Sequence, residues 1–233
     1  MNILVTGASK GIGRKIADEL KNSGNLFVCA RNENLLKNIG AKDYCVCDLA
    51  DDLKILAEFI QKNEIDVLVN NAGEYIYGSI ETMKQEQIEH IFKVNVLAPA
   101  FLISKAVPYM KKNKWGRIIN IGSISGVMGE ANASLYSASK SALIGMTKAL
   151  ALELAQENIT VNTINPGWVD TELGEKSIEE SEFTHDEILE CIPQRRFVSP
   201  DEIASLVKYL ISDDARGITG QSVNLCAGLS VGI

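Results

Sequence analysis

The chain has 233 residues, of which 46% are hydrophobic, and a formal net charge of −7. This length and composition are typical of a globular protein with a substantial core, and the negative charge argues against a nucleic-acid surface, which needs clustered Lys and Arg. No uninterrupted apolar run approaches the roughly 20 residues that cross a bilayer, and the N-terminal segment 1–5 lacks the basic region of a signal peptide. The five cysteines are scattered, so we expect buried thiols, a cytoplasmic location and no membrane partner.

Short apolar runs alternate with helical patterns along most of the chain. The predicted strands are Asn2–Thr6, Asn25–Ala30, Asp43–Asp48, Ile65–Asn70, Gly116–Gly122, Thr160–Asn165 and Ser222–Cys226. The predicted helices are Gly11–Ser23, Asn32–Asn38, Asp51–Asn63, Gln85–Lys112, Ser134–Glu157 and Pro200–Ile211. Continuous apolar strands alternating with helices predict an α/β fold, namely a doubly wound, seven-stranded parallel sheet of Rossmann type. We expect a single domain over residues 1–233, because the sequence contains neither a repeat nor a linker.

The segment 171–193 breaks this alternation. It is polar and weakly helical, and it contains eight acidic residues. A solvated surface segment is the simplest interpretation of such a composition. The segment follows the sixth strand, however, and ligands of such folds bind at the carboxyl ends of the strands. We therefore expect it to form a mobile substrate lid.

A glycine-rich loop follows the first strand directly. Gly7 permits a tight turn, Gly11 lets the backbone approach a pyrophosphate, and Gly13 lets helix and strand pack closely. The helix that begins there presents free N–H groups and a positive dipole end to an anion. The strand–loop–helix context therefore predicts a dinucleotide-binding loop formed by Gly7, Ser9, Lys10, Gly11, Ile12 and Gly13.

The second strand is followed by a cation. A site that prefers NAD usually offers Asp or Glu here to the ribose 2′-hydroxyl, whereas this chain offers Arg31. Lys10, in the glycine loop, is expected near the same ribose. Two cations at these positions suit a 2′-phosphate and predict NADP(H), although each could instead be a solvated surface charge.

A Tyr and a Lys lie four residues apart on a predicted helix and hence on one face of it. They are Tyr136 and Lys140, and Ser123 precedes them at the end of the fifth strand. A Tyr–Lys pair on an exposed helix usually has no function. Its placement after a dinucleotide loop and a strand-end serine indicates a catalytic group.

Taken together, these motifs resemble those of the compact short-chain dehydrogenase/reductase family. The resemblance covers essentially the whole chain, and its specificity comes from the order and spacing of the motifs. They are the segments 6–13, 70–73 and 93–96, then Ser123, Tyr136, Lys140, Pro166, Gly167 and Thr171.

The resemblance implies an NADP(H)-dependent oxidoreductase that interconverts a carbonyl and a secondary alcohol by hydride transfer. Tyr136 would be the general acid for reduction and the base for oxidation, and the Lys140 ammonium would lower its pKa from about 10. Ser123 would donate a hydrogen bond to the substrate oxygen, where negative charge develops. Asn95 would hold a water that passes protons toward Lys140.

The resemblance also assigns cofactor contacts beyond the glycine loop. Asp48 and the backbone of Leu49 would bind the adenine. The segment Asn71, Ala72 and Gly73 would line the side of the adenosine ribose. The nicotinamide half would be held by Tyr136, Lys140, Pro166, Gly167, Val169 and Thr171.

Within the family, the segments Gly116–Ser123 and Ile159–Asn162 resemble those of 3-oxoacyl-[acyl-carrier-protein] reductases. Those enzymes dock an acidic carrier on two basic residues. Lys114 matches the first of these positions, but Glu157 occupies the second. This departure and the net charge of −7 make a carrier-bound substrate the alternative to a free small-molecule substrate.

Other functions on the same scaffold remain as alternatives. A non-catalytic NADP(H) sensor would generally lack the Tyr or the Lys, and a lyase or dehalogenase would replace the Lys with Arg or alter the glycine loop.

The resemblance further implies a homotetramer or homodimer. Trp168 could line the substrate pocket or pack beneath the lid. His90 and His185 lie apart in the sequence, and we predict no metal.

Overall fold

The computed structural model describes residues 1–181 and 183–231, and within them one sheet contains seven parallel strands. The strands are β1 (Asn2–Thr6), β2 (Asn25–Ala30), β3 (Asp43–Val46), β4 (Val67–Asn70), β5 (Gly116–Ile121), β6 (Ile159–Pro166) and β7 (Ser222–Leu225). Their order across the sheet is β3-β2-β1-β4-β5-β6-β7. The chain thus winds outward from β1 in one direction and from β4 in the other, which confirms the predicted doubly wound fold.

Helices connect the strands. The α-helices are α1 (Gly11–Leu20), α2 (Glu33–Lys37), α3 (Lys54–Lys62), α4 (Gln85–Phe92), α5 (Ala98–Asn113), α6 (Ser125–Met128), α7 (Ser134–Leu154), α8 (Glu172–Glu180), α9 (His185–Cys191) and α10 (Pro200–Leu210). A π-helical turn, Lys93–Leu97, joins α4 to α5. Short 3-10 turns occur at Ile80–Thr82, Ala155–Glu157 and Asp213–Ala215.

Both faces of the sheet are covered, as the apolar strands predicted. Along β1, Ile3 and Val5 pack into one hydrophobic cluster and Leu4 into the other. Successive strand residues point to opposite faces, so a strand buried on both sides must be apolar throughout. The first cluster includes residues of α1 and α10, and the second includes residues of α3 and α5.

Several predicted boundaries were wrong, each for a local reason. The helix expected over Gln85–Lys112 is divided by the π-helical turn, in which the buried Asn95 bonds to the backbone of Glu74. The third strand ends at Val46 rather than Asp48, because the carboxylate of Asp48 accepts a hydrogen bond from the amide of Ala50 and starts a turn.

The segment 171–193 is more helical than its composition suggested. It contains α8 and α9, and the side chains of Thr171 and Thr184 cap their N-termini. The short helix α6, between Ser123 and Tyr136, was not predicted at all. Four-residue helices have too little periodicity to be recognised from the sequence.

The helical stretch Gln85–Asn113 is long and apolar enough to span a membrane on length and composition alone, with a mean hydropathy of 1.4. Of its most apolar window, 44% is buried within the fold. Leu102 and Met110 on this stretch are fully buried and belong to the second hydrophobic cluster. A core helix passes the same length and composition test, and these contacts are those of a core helix.

Candidate active site

The predicted site residues lie along one edge of the sheet, where the carboxyl ends of six strands meet. Asn95 lies on the π-helical turn, and Tyr136 and Lys140 lie on α7. The others end or follow β1 (Gly7, Ser9, Lys10, Gly11, Ile12, Gly13), β2 (Arg31), β3 (Asp48, Leu49), β4 (Asn71, Ala72, Gly73), β5 (Ser123) and β6 (Pro166, Gly167, Val169, Thr171).

The glycine loop turns tightly against the start of α1. Gly7 has a φ of +67°, in the left-handed region that favours glycine. A Cβ atom at Gly13 would lie 2.3 Å from the carbonyl oxygen of Gly7, so a larger residue could not pack there. Because α1 begins at Gly11 within this loop, its free N–H groups are available to an anion. The loop therefore fits the pyrophosphate of a dinucleotide.

The segment after β4 is fixed to this loop by hydrogen bonds. The amides of Asn71 and Ala72 both donate to the hydroxyl of Thr6, each at 3.1 Å. The side-chain amide of Asn71 also donates to the carbonyl oxygen of Thr6 at 2.9 Å. The two predicted cofactor segments consequently form one surface.

The two cations expected to bind a 2′-phosphate are exposed, and each contacts a carboxylate. Arg31 Nη1 lies 3.2 Å from Glu74 Oε1 and 3.5 Å from Asp48 Oδ2. Lys10 Nζ lies 2.6 Å from Glu172 Oε2 at the start of α8. A phosphate at this position would therefore compete with carboxylates for both cations.

The structure brings Ser123, Tyr136 and Lys140 together. Lys140 is 5% exposed, and its Nζ donates to the carbonyl oxygen of Ile121 at 2.9 Å. The same Nζ lies 5.7 Å from the centre of the Tyr136 ring. Ser123 lies two residues after the end of β5, and it lines the same cavity as Tyr136.

Asn95 is buried next to the same lysine. Its side chain donates to the carbonyl oxygen of Glu74 at 2.9 Å and to the hydroxyl of Ser139 at 3.0 Å, and it accepts from the amide of Glu74. A Cβ atom at Gly73 would lie 3.2 Å from both Asn95 Oδ1 and Lys140 Nζ. Gly73 thus leaves a narrow space between the Asn95 and Lys140 side chains.

Burial dominates the ionisation of the Tyr–Lys pair. Desolvation raises the pKa of Tyr136 to about 12, with a contribution from the negative charge of Glu130, while the hydrogen bond from Ser123 opposes it. Desolvation lowers the pKa of Lys140 to about 8. In the protein without a cofactor, removing the phenolate from water keeps this pKa above the usual value of about 10, and the lowering expected from Lys140 stays a prediction. The phenol is therefore protonated at neutral pH.

A cavity of about 260 Å³ opens in front of these groups. Ser123 and Tyr136 line it together with Ile12, the segment 166–169 and Thr171. Helix α8 contributes Leu173, Gly174 and Ser177 to the lining. Trp168 lines the cavity, as the first interpretation expected, and its ring also stacks on Phe197, outside segment 171–193, with ring centres 6.2 Å apart.

Three further cavity residues were not predicted from the sequence. The hydroxyl of Ser125 donates to one carboxylate oxygen of Glu130 at 2.6 Å, and the hydroxyl of Tyr75 donates to the other at 2.7 Å. The ring of Tyr75 packs edge-on against that of Tyr136 with centres 4.9 Å apart. Ser125 could have been suspected from its position two residues after Ser123, whereas no sequence signal pointed to Tyr75 or Glu130.

The two histidines do not form a common site. His90 Nε2 lies 2.6 Å from a carboxylate oxygen of Glu74, and the ring of His185 packs 4.7 Å from that of Phe197. Within residues 1–181 and 183–231, no three His, Cys, Asp or Glu residues are arranged to hold a metal ion.

Comparison with known proteins extends over nearly the whole chain. Residues 7–230 match the family model described as enoyl-(acyl carrier protein) reductase. A 3-oxoacyl-[acyl-carrier-protein] reductase from Rickettsia conorii is 37% identical over 97% of this chain and 95% of its own length. The enzyme of the same name from Salmonella typhimurium is 39% identical over 97% of this chain and 96% of its own length.

Solved structures agree with this comparison. A variant of actinorhodin polyketide ketoreductase, in complex with NADPH, superposes with a TM-score of 0.93 at 35% identity, covering 99% of this chain and 97% of its own. An NADPH-dependent reductase involved in bacilysin biosynthesis superposes with a TM-score of 0.92 at 30% identity, covering 100% of this chain and 99% of its own. The sheet and the site define a dinucleotide-dependent oxidoreductase. More particularly, the chain belongs to the short-chain dehydrogenase/reductase family.

The buried position of Lys140 predicts an unusual titration. In protein labelled with ¹³C at lysine Cε, one resonance should titrate near pH 8, because burial favours the neutral amine and lowers the pKa of Lys140 from the model-peptide value of about 10.4. NMR spectra recorded between pH 6 and pH 11 measure this directly. The variant Lys140→Met should lack that resonance. A wild-type spectrum in which every lysine titrates above pH 10 would contradict the lowered pKa of the buried Lys140.

Proposed function

We propose that the chain is an NADP(H)-dependent oxidoreductase that interconverts a ketone or oxoacyl carbonyl and a secondary alcohol. The observation that carries the proposal is the convergence of Ser123, Tyr136 and the segment 166–169 on one cavity. A substrate carbonyl in this cavity would lie between two hydroxyl donors and the expected nicotinamide position. The identity of the similar reductases supports the same reaction class.

Each residue has a defined task in the proposed reduction. The protonated Tyr136 donates its proton to the substrate oxygen, and Ser123 donates a hydrogen bond to the same atom as negative charge develops. Lys140, held by the carbonyl of Ile121, stabilises the phenolate that remains. Asn95 positions the proton path that restores the phenol. A bound NADPH supplies the hydride.

The choice of NADP(H) over NAD(H) follows from charge. Lys10 and Arg31 lie at the glycine loop and at the end of β2, where a ribose 2′-phosphate is expected. A dianionic phosphate gives stronger charge-assisted hydrogen bonds than the carboxylates that now contact these cations. Asp48 and Glu74 would then be released from Arg31 on binding.

The substrate is a small-molecule carbonyl compound, and segment 171–193 acts as its lid through α8. Reduction of a 3-oxoacyl group on a carrier protein is the second candidate, favoured by the similarity to two such reductases. Lys114, the matching carrier-docking residue, forms an ion pair with Glu157. This pairing neutralises the one basic position that the carrier would use, and it supports a free substrate.

We further propose a cytoplasmic homotetramer or homodimer. All five cysteines are free thiols, which suits a reducing compartment. Leu97 and Leu152 are 60% and 84% exposed on neighbouring helical segments, an apolar surface that a second copy could cover.

Replacement of the proposed acid tests the reaction. Tyr136→Phe should lower the turnover of every ketone that the wild type reduces with NADPH by at least about a hundredfold, because the proton donor is lost. NADPH oxidation followed by absorbance measures the rate. Tyr209→Phe, at a half-exposed tyrosine on α10, is the matched control and should keep full activity. Unchanged activity of Tyr136→Phe would contradict the assignment. If the protein binds NADPH tightly but turns over none of a broad panel of ketones, the alternative of a non-catalytic NADP(H) sensor is favoured instead.

Reversal of one charge tests the cofactor. Arg31→Asp should shift the ratio of kcat/KM for NADPH and NADH toward NADH by about 5- to 150-fold, or roughly 1 to 3 kcal/mol, because a charge-assisted contact to the phosphate is lost. Arg216→Asp, on an exposed turn, is the matched control. Equal use of both cofactors by the wild type would contradict the assignment of Lys10 and Arg31.

A further inference from the structure

One carboxylate stands in the cavity that holds the proposed catalytic hydroxyls. Among the described residues that line this cavity, Glu130 is the only one with an acidic or basic side chain that is charged at neutral pH. The surrounding wall includes Met128, Trp168, Leu173 and Leu229, all apolar over most of their surface. A single charge with apolar neighbours exerts a strong effect on whatever enters the cavity.

Glu130 is held at a fixed distance from the reacting centre. The hydroxyl of Ser125 donates to Glu130 Oε2 at 2.6 Å, and the hydroxyl of Ser123 donates to that of Ser125 at 3.2 Å. The carboxylate is thus two hydrogen bonds away from Ser123, the proposed donor to the substrate oxygen. On its other side, Tyr75 donates to Glu130 Oε1 at 2.7 Å.

These contacts leave the Glu130 carboxylate with positions that can accept further hydrogen bonds. A carboxylate can accept about four hydrogen bonds, and Ser125 and Tyr75 supply two. Burial and the adjacent carboxylate raise the pKa of Tyr75, so this phenol stays a donor. None of the ion pairs found between described residues neutralises Glu130. The carboxylate is therefore oriented and charged, and it can accept further hydrogen bonds.

We propose that Glu130 is a specificity-determining residue that selects a ketone or secondary alcohol carrying a hydrogen-bond donor, such as an ammonium or a hydroxyl, within a few bonds of the reacting carbon. This inference rests on the proposed function. The same carboxylate repels a substrate with a carboxylate or phosphate at that position, because two like charges would meet in an apolar cavity. A 3-oxoacyl thioester has no such donor beside its ketone and gains nothing from Glu130.

A purely structural role for Glu130 makes a different prediction. If the carboxylate only holds Ser125 and Tyr75 in place, its replacement should lower activity with all substrates by the same factor. A role in selection changes the ranking of substrates by charge. The comparison of ratios, rather than of rates, separates the two roles.

The test uses three ketones that share one carbon skeleton and differ only in an ammonium, a hydroxyl or a carboxylate near the carbonyl. The wild type should show the highest kcat/KM with the ammonium compound and the lowest with the carboxylate, at least tenfold apart. In Glu130→Gln, the ratio of kcat/KM for the ammonium compound to kcat/KM for the carboxylate compound should fall at least tenfold. Glu130→Asp, which keeps the charge, should retain part of it. Glu58→Gln, at an exposed position on α3, is the matched control and should keep the wild-type ratio.

The wild type alone can overturn the inference, so the outcome does not depend on the folding of a variant. Selection by Glu130 is excluded if the wild-type ratio of kcat/KM for the ammonium ketone to kcat/KM for the carboxylate ketone is at or below one. It is also excluded if the wild type binds the corresponding carboxylate alcohol as tightly as the amino alcohol. A ratio in Glu130→Gln equal to that of the wild type excludes it as well. If the wild type reduces neutral ketones but its kcat/KM values for the three test ketones do not depend on their charge, only this inference is contradicted. Full activity of Tyr136→Phe contradicts the proposed function itself.

Discussion

The hydrogen bond from Lys140 to the carbonyl oxygen of Ile121 joins α7 to the carboxyl end of β5. Thr147, further along α7, adds buried hydrogen bonds to Asn120 of β5 and Thr163 of β6. These contacts hold the face of α7 that carries Lys140 against the sheet, and Tyr136, one helical turn earlier, lines the cavity. Ser123 follows the same strand and therefore meets the tyrosine there.

The site places its charges in two different environments. Lys10 and Arg31 are exposed and contact carboxylates from other segments, so a phosphate can displace those carboxylates at low cost. Glu130 lines the cavity and Lys140 is 5% exposed behind it, so solvent screens both charges less than those at the surface. The proposed recognition of the cofactor phosphate would thus take place at the surface, whereas the proposed chemistry and substrate selection would take place in a more apolar space.

The sequence predicted most of the fold because strands buried on both faces are continuous apolar runs, and β1 and β6 are such runs. It also predicted the site residues that follow those strands, since parallel strands place their carboxyl ends together. It could not predict the contact of Tyr75 with Glu130, which are 55 residues apart and meet only through tertiary packing. The π-helical turn at Asn95 escaped prediction because its residues continue an ordinary helical pattern.

A crystal structure of the protein with NADP⁺ would show whether the dinucleotide occupies this site. We expect the pyrophosphate at the glycine loop between Gly7 and Gly13, the 2′-phosphate near Lys10 and Arg31, and the nicotinamide ring in the cavity facing Tyr136. Lys140 should then lie within hydrogen-bond distance of the nicotinamide ribose. A dinucleotide bound elsewhere, or a nicotinamide turned away from Tyr136 and Lys140, would contradict this expectation.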